Sequence, residues 1–354
     1  MTNTSVCRLP TPDPTTAARV LAAEAATLRV VGILQSASIE PVVMKGPLLA
    51  RRLYGAAAAR GVPVDVDVLV QREEVAGAIE ALSEAGLVAP PPAEVAALLR
   101  TSHELPLRPG ADVREAAAAR VVDLHWSPWS VSLYPPAGPA IARHLEQLEL
   151  AGVALTVFDR PLTIVHLAAQ YTQGGFTEHR LLRDLGTAWE RWAPEAGQEA
   201  VALGDEAGLR DVLAYSLEVA SRLGLLGSSP AALPGSRRAR RLAVVAPRGR
   251  PEALAPEPDY LGQLLALGLV PPRRALRRLR RALFVPRPLM GRGSTTGGGV
   301  AARRSYLGRA LRLAGGTVRA GAATRPGVTR SATSCSTASP TSRTVRLPPG
   351  RARR

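Results

Sequence analysis

Two stretches of the chain alternate strictly between side-chain faces. In GVPVDVDVLV (61–70), Val62, Val64, Val66, Val68 and Val70 fall on one side and Asp65, Asp67 and Leu69 on the other. In ARVVDLHWSPW (119–129), Val121, Asp123 and His125 oppose Val122, Leu124 and Trp126. A period of two predicts strands. Apolar positions at helical spacing predict a helix over 15–37, through Val20, Leu21, Leu28, Val31 and Leu34, and a second over 72–87, closed by Gly86. IEPVVMKG reads as a short buried strand ending at a glycine, and PLLARRLYG as a helix. Pro47 lies in its first turn, where a missing N–H costs nothing, and Gly55 at its end. Prolines at 90–92 open a looser stretch. From about 139 to 228 the pattern turns mostly helical, with LTIVHLAAQYT and HRLLRDLGTAWERW as its best segments.

These patterns divide the 354 residues into a flexible N-terminus (1–16), an α/β (α+β) core with a small mixed sheet (17–138) and a helical subdomain (139–228). A Pro-, Ala- and Arg-rich linker (229–258), a basic amphipathic helical segment (259–289) and a low-complexity, disordered tail (290–354) complete the expectation. Charge sharpens this division. The net charge is +16, yet twenty arginines and no carboxylate follow Asp259, so residues 1–259 carry −4. The body is mildly acidic and the basicity belongs to the tail. Cys7 and Cys335 stand at opposite ends in patternless sequence, which argues against a structural disulfide. With no leader-like apolar region and no apolar run of membrane-spanning length, the expected location is cytoplasmic.

Lys45 is the only lysine beside 44 arginines. A compact ammonium suits a single phosphate oxygen better than a planar guanidinium does. Its place, with Gly46, at a strand-to-helix junction adds free backbone N–H groups and a helix dipole that favour an anion. On the acidic strand, Asp65 and Asp67 point the same way about 6.6 Å apart. Such a pair fits Mg²⁺, which takes one or two carboxylates and completes its shell with phosphate and water. Two such ions activate a hydroxyl nucleophile and steady the leaving oxygen. Asp123 is available as a third carboxylate, and His125 on the same face as a phosphate donor or a group that orients a carboxylate. The wet face of a half-exposed strand also carries polar residues, so Asp-x-Asp alone fits either reading. Asp is, however, depleted in strands, and like charges two residues apart repel unless a cation lies between them. Arg60 precedes the acidic strand as a possible phosphate clamp, although Arg51, Arg52 and Arg60 fit solvated surface positions equally. His103 and His166 have no Cys or His at metal-ligand spacing, which argues against zinc, and His166 reads as a packed core residue. No P-loop or serine-hydrolase elbow is present.

In this order, VVMKG, LYG with a following AR, VDVDVLV, a helix ending in EAGL, HELPL and VVDLHW resemble the uncharacterised bacterial nucleotidyltransferase family of the polymerase-beta-like superfamily. The resemblance spans about residues 17–190. It implies that Asp65, Asp67 and Asp123 bind catalytic Mg²⁺, two ions in all, and that Lys45, Gly46 and Arg60 contact the phosphates of a nucleoside triphosphate. It also implies transfer of a nucleoside monophosphate to an acceptor hydroxyl. The sequence departs from the family pattern in the spacing from Arg60 to Asp65 and in Gln170, where a histidine is familiar. A second reading keeps the fold without catalysis, as a regulatory or nucleic-acid-binding module whose Arg-rich tail makes non-specific contacts. A third, weaker reading places PPRRALRRLRRALF on an anionic membrane surface.

Overall fold

The computed structural model describes residues 13–110, 120–131, 133–134, 138–174, 178–226, 237–243 and 269. Cys7, Cys335, most of the expected linker, the basic segment apart from Leu269, and the tail lie outside the described residues. Seven strands form one mixed sheet in the order β3-β4-β5-β2-β1-β7-β6. They are β1 (Val42–Val43), β2 (Asp65–Leu69), β3 (Leu87–Val88), β4 (Glu104–Pro109), β5 (Val121–His125), β6 (Leu145–Leu150) and β7 (Val153–Phe158). The helices are α1 (Pro14–Ser36), α2 (Gly46–Tyr54), α3 (Val75–Glu84), α4 (Pro92–Thr101), α5 (Arg160–Gln173), α6 (His179–Glu206), α7 (Arg210–Arg222) and α8 (Arg237–Ala243). This is the expected mixed α/β class, with a larger sheet than the sequence suggests.

Alternation along β2 and β5 separates two cores. Val66, Val68, Val122 and Leu124 join Leu105 and Leu107 of β4 beneath α1 and α3. Leu69 instead joins Phe158, Trp129 and the helices α5, α6 and α7 on the opposite side. Burying an apolar side chain of this size contributes about 1.5–3 kcal/mol, so a one-residue slip of either strand would be strongly disfavoured. The register is therefore fixed by the valines, and the aspartates are carried to the other face by default.

Two segments differ from the sequence expectation. LEQLEL and VALTVF, in the region read as mostly helical, form the antiparallel pair β6–β7 with Leu150 opposite Val153. Their turn has positive φ at Ala151 (52°) and Gly152 (82°), the two-residue hairpin geometry usually signalled by Asn-Gly. HELPL, read as part of a loose stretch, is β4. At Pro106 this strand pairs only with β5, because β3 reaches no further than Arg108 and Pro109, so the missing proline N–H falls where no ladder continues. Short helix α8 lies within the expected linker and buries Ala239 and Ala243.

Candidate active site

Parallel pairing of β2 with β5 sets Asp67 beside Asp123 and Leu69 beside His125. β4 runs antiparallel on the far side of β5, with Glu104 opposite His125 and Pro106 opposite Asp123. Side chains paired in this way share a face. Asp67, Asp123, His125 and Glu104 thus lie together on the side away from the valine core, joined by Asp65 two residues along β2. Lys45 arrives from the end of β1, whose neighbour Met44 donates its N–H to the Asp67 carbonyl. Gly46 follows at φ 78°, a left-handed conformation that glycine adopts without strain. That turn lets the chain pass from strand directly into α2.

One oxygen organises the cluster. Asp67 Oδ1 receives the Lys45 ammonium at 2.9 Å and His125 Nε2 at 3.2 Å. Asp67 is buried, and burial alone would raise its pKa, but Lys45 and His125 outweigh it and hold the carboxyl well below the usual range. Lys45 shows the reciprocal balance: burial opposes its charge, while Asp67, Asp65 and Glu104 prevail and raise it. The flanking carboxylates respond differently. Burial and then the Asp67 charge raise Asp65, with Lys45 and Arg180 acting in the opposite direction. Asp123 is pushed up to about 6 by burial and by the charges of Asp67 and Glu104. Two carboxyls raised beside a third held ionised mark a surplus of negative charge, and their oxygens are the donor set a hard dication prefers. These residues therefore fit Mg²⁺.

Arg60 is engaged elsewhere. Its Nε donates to Asp184 Oδ2 at 2.6 Å, and the Tyr54 hydroxyl donates to Asp184 Oδ1 at 2.7 Å. Both partners of the ion pair are buried, at 6% and 1% side-chain exposure. Arg52 is likewise no solvated charge, since it donates to the Phe158 carbonyl at 2.6 Å, pairs with Glu146 and stacks over Trp192. These arginines tie α2 and the turn after it to β6, β7 and α6. Arg51 comes nearest to the surface reading, half exposed and paired with Glu24.

Three residues beyond the expected set stand at this site. Glu104 Oε2 lies 3.2 Å from His125 Nδ1 and 3.3 Å from His103 Nε2. His103 is buried, which lowers its pKa to about 4 and keeps the ring neutral. Arg180, exposed in the first turn of α6, is close enough for its charge to act on Asp65. A β4 assignment would have brought His103 and Glu104 to His125, but the prolines hid it. The expected zinc-free status of His103 rested on spacing along the chain, whereas strand pairing places it 5.6 Å from the His125 ring centre to centre. His166 is a core residue as read, fully buried with its ring edge against Phe158.

The family of proteins described as "Uncharacterised nucleotidyltransferase" matches residues 13–224, well over half of the chain. The chain belongs to this family. The matched span takes in every strand of the sheet and the helices up to α7, so the nucleotidyltransferase domain includes the acidic face and α6. Among solved structures, an antigenic nucleotidyltransferase-like protein from Paracoccidioides brasiliensis aligns over 56% of this chain and 93% of its own, at 14% identity and a TM-score of 0.30. No curated protein matches the chain. Among the described residues, no helix is long and apolar enough to cross a membrane.

Proposed function

We propose that this nucleotidyltransferase-family protein transfers a nucleoside monophosphate from a nucleoside triphosphate to an acceptor hydroxyl at the Asp65, Asp67 and Asp123 face. The observation that carries the reading is the shared face itself: three carboxylates on adjacent strands, with one retained ammonium bound to the central one. In this reading Asp65, Asp67 and Asp123 hold Mg²⁺, with two ions as the fullest form of the site. When bound, Mg²⁺ supplies neutralising charge to the triphosphate and lowers the pKa of the attacking hydroxyl. His125 donates to Asp67 Oδ1 and is a positioning residue that fixes the orientation of that carboxylate. Lys45 and the amides of Gly46 and the first turn of α2 receive phosphate oxygens, with Arg180 as a further cation at the exposed side. Arg60 acts through Asp184, fixing α6 and therefore Arg180 against the core. The acceptor oxygen forms a bond to the α-phosphorus, the bond to the departing pyrophosphate oxygen breaks, and the hydroxyl proton leaves to solvent. Positioning and charge neutralisation supply most of the rate in such transfers.

Turnover of nucleoside triphosphate to pyrophosphate, measured with Mg²⁺ for the parent and for an Asp65→Asn, Asp67→Asn variant, tests the assignment. Loss in the folded variant supports it, and undiminished turnover removes it.

A further inference from the structure

The mechanism above uses only one edge of His125. Its Nε2 meets Asp67 Oδ1, and because an ionised carboxylate only accepts, Nε2 carries the proton. Nδ1 is then the ring edge left for another ligand. His125 is 1% exposed, and among the described residues Nδ1 has no hydrogen-bond partner. What faces it is Glu104 Oε2 at 3.2 Å, a second acceptor. His103 Nε2 stands 3.3 Å from the same oxygen, and one donor atom from each of the three residues falls within 4.8 Å of the others. Three electron-pair donors from two buried imidazoles and a carboxylate therefore converge on one point.

We infer that His103, Glu104 and His125 form a binding site for a borderline divalent cation of the Zn²⁺ class, beside the Asp65, Asp67 and Asp123 carboxylates and distinct from them in its ligands. The spacing matches the chemistry. Ligands about 2.0–2.1 Å from a tetrahedral Zn²⁺ lie about 3.3 Å from one another, and the two edges of this triangle that meet at Glu104 Oε2 are 3.2 and 3.3 Å. Two imidazoles with one carboxylate select Zn²⁺ or Co²⁺ over Mg²⁺, which prefers all-oxygen surroundings. Outer partners are already in place. Asp67 receives the far N–H of His125, the carboxylate–histidine–metal arrangement that fixes a ligand's tautomer. Gln173 donates to His103 Nε2 at 2.9 Å while its own oxygen is held by the Ser130 N–H at 2.7 Å. Cation binding exchanges that amide bond for a metal–nitrogen bond and leaves the amide beside the ion. Because His125 touches both sites, a cation here sets the hydrogen bond that orients Asp67.

The proposal does not rest on nucleotidyl transfer, and its test is read without nucleotide. Metal-stripped full-length protein is titrated with Co²⁺ and followed by visible d–d absorption, then with Zn²⁺ in competition. The expected result is one tight equivalent per chain with an intense low-symmetry Co²⁺ spectrum, displaced by Zn²⁺ and not by excess Mg²⁺. His103→Gln and Glu104→Gln should each weaken uptake by roughly a hundredfold or more, and Asp65→Asn should not. Glu104, with a side chain 37% exposed, provides the readout should the buried His103 substitution impair folding. Absence of uptake by the parent protein would overturn the site. Uptake unaffected by Glu104→Gln and abolished by Asp65→Asn would overturn it too, by placing the ion on the aspartates.

Discussion

Lys45 Nζ lies 2.9 Å from Asp67 Oδ1, and both side chains are largely buried, at 16% and 6% exposure. The protein's one lysine is therefore the counter-charge of a carboxyl held well below the usual range. A nucleotide phosphate and the Asp67 carboxylate would compete for this ammonium, and a dication on Asp67 would release it toward the phosphate.

Lys45→Met leaves Asp67 buried with the His125 ring as its remaining hydrogen-bond partner. Removing one member of a buried ion pair costs about 3–5 kcal/mol, so the variant should unfold at clearly lower denaturant than the parent. The double variant Lys45→Met, Asp67→Asn should recover part of that loss, because neither charge is then left alone. Urea melts of the four proteins in the cycle give the coupling directly, and simple additivity would contradict the pairing.

Arg60→Ala removes the cation from Asp184, whose side chain is 1% exposed. The expected destabilisation is again about 3–5 kcal/mol. Tyr54→Phe, which deletes the second hydrogen bond to Asp184 and leaves the ion pair in place, should cost about 1 kcal/mol. If Arg60 served phosphate binding alone, Arg60→Ala would leave the chemical melt unchanged and weaken nucleotide affinity instead.

The strands that carry Asp65, Asp67, Asp123 and His125 were legible because valine at alternate positions leaves each sheet face one composition. The common face of Asp67 and Asp123 was legible for the same reason. What the sequence hid was pairing between distant segments. His103 and Glu104 stand 22 and 21 positions from His125, and only the antiparallel register of β4 with β5 unites them. The partner of Arg60 was hidden because a basic residue beside an acidic strand says nothing of Asp184, 124 positions away. The β6–β7 hairpin was missed because Ala151-Gly152 is a weak turn signal and the helices after it dominate the periodicity.

His166 predicts an acid limb in the stability curve. Burial, with Lys45 and His125 adding to it, pushes its pKa well below 6.5, while the unfolded chain protonates near 6.5. Below that pH the unfolded state binds more protons, so stability is fully present above about 6.5 and falls as pH drops. His103, lowered to about 4, contributes with the same sign over its own window. Melts between pH 8 and 4.5 should show this decline, and His166→Leu should flatten it. An unchanged slope in that variant would show that His166 is not the titrating group.

The central claim is that the Asp65, Asp67 and Asp123 face binds a nucleotide through a dication. Calorimetric titration of ATP, GTP, CTP and UTP into the protein tests it, with and without Mg²⁺, beside the Asp65→Asn, Asp67→Asn variant. The account predicts binding of at least one nucleotide that requires Mg²⁺ and disappears in the folded variant. Binding that persists in the variant, or silence with all four nucleotides from a folded parent protein, would contradict it.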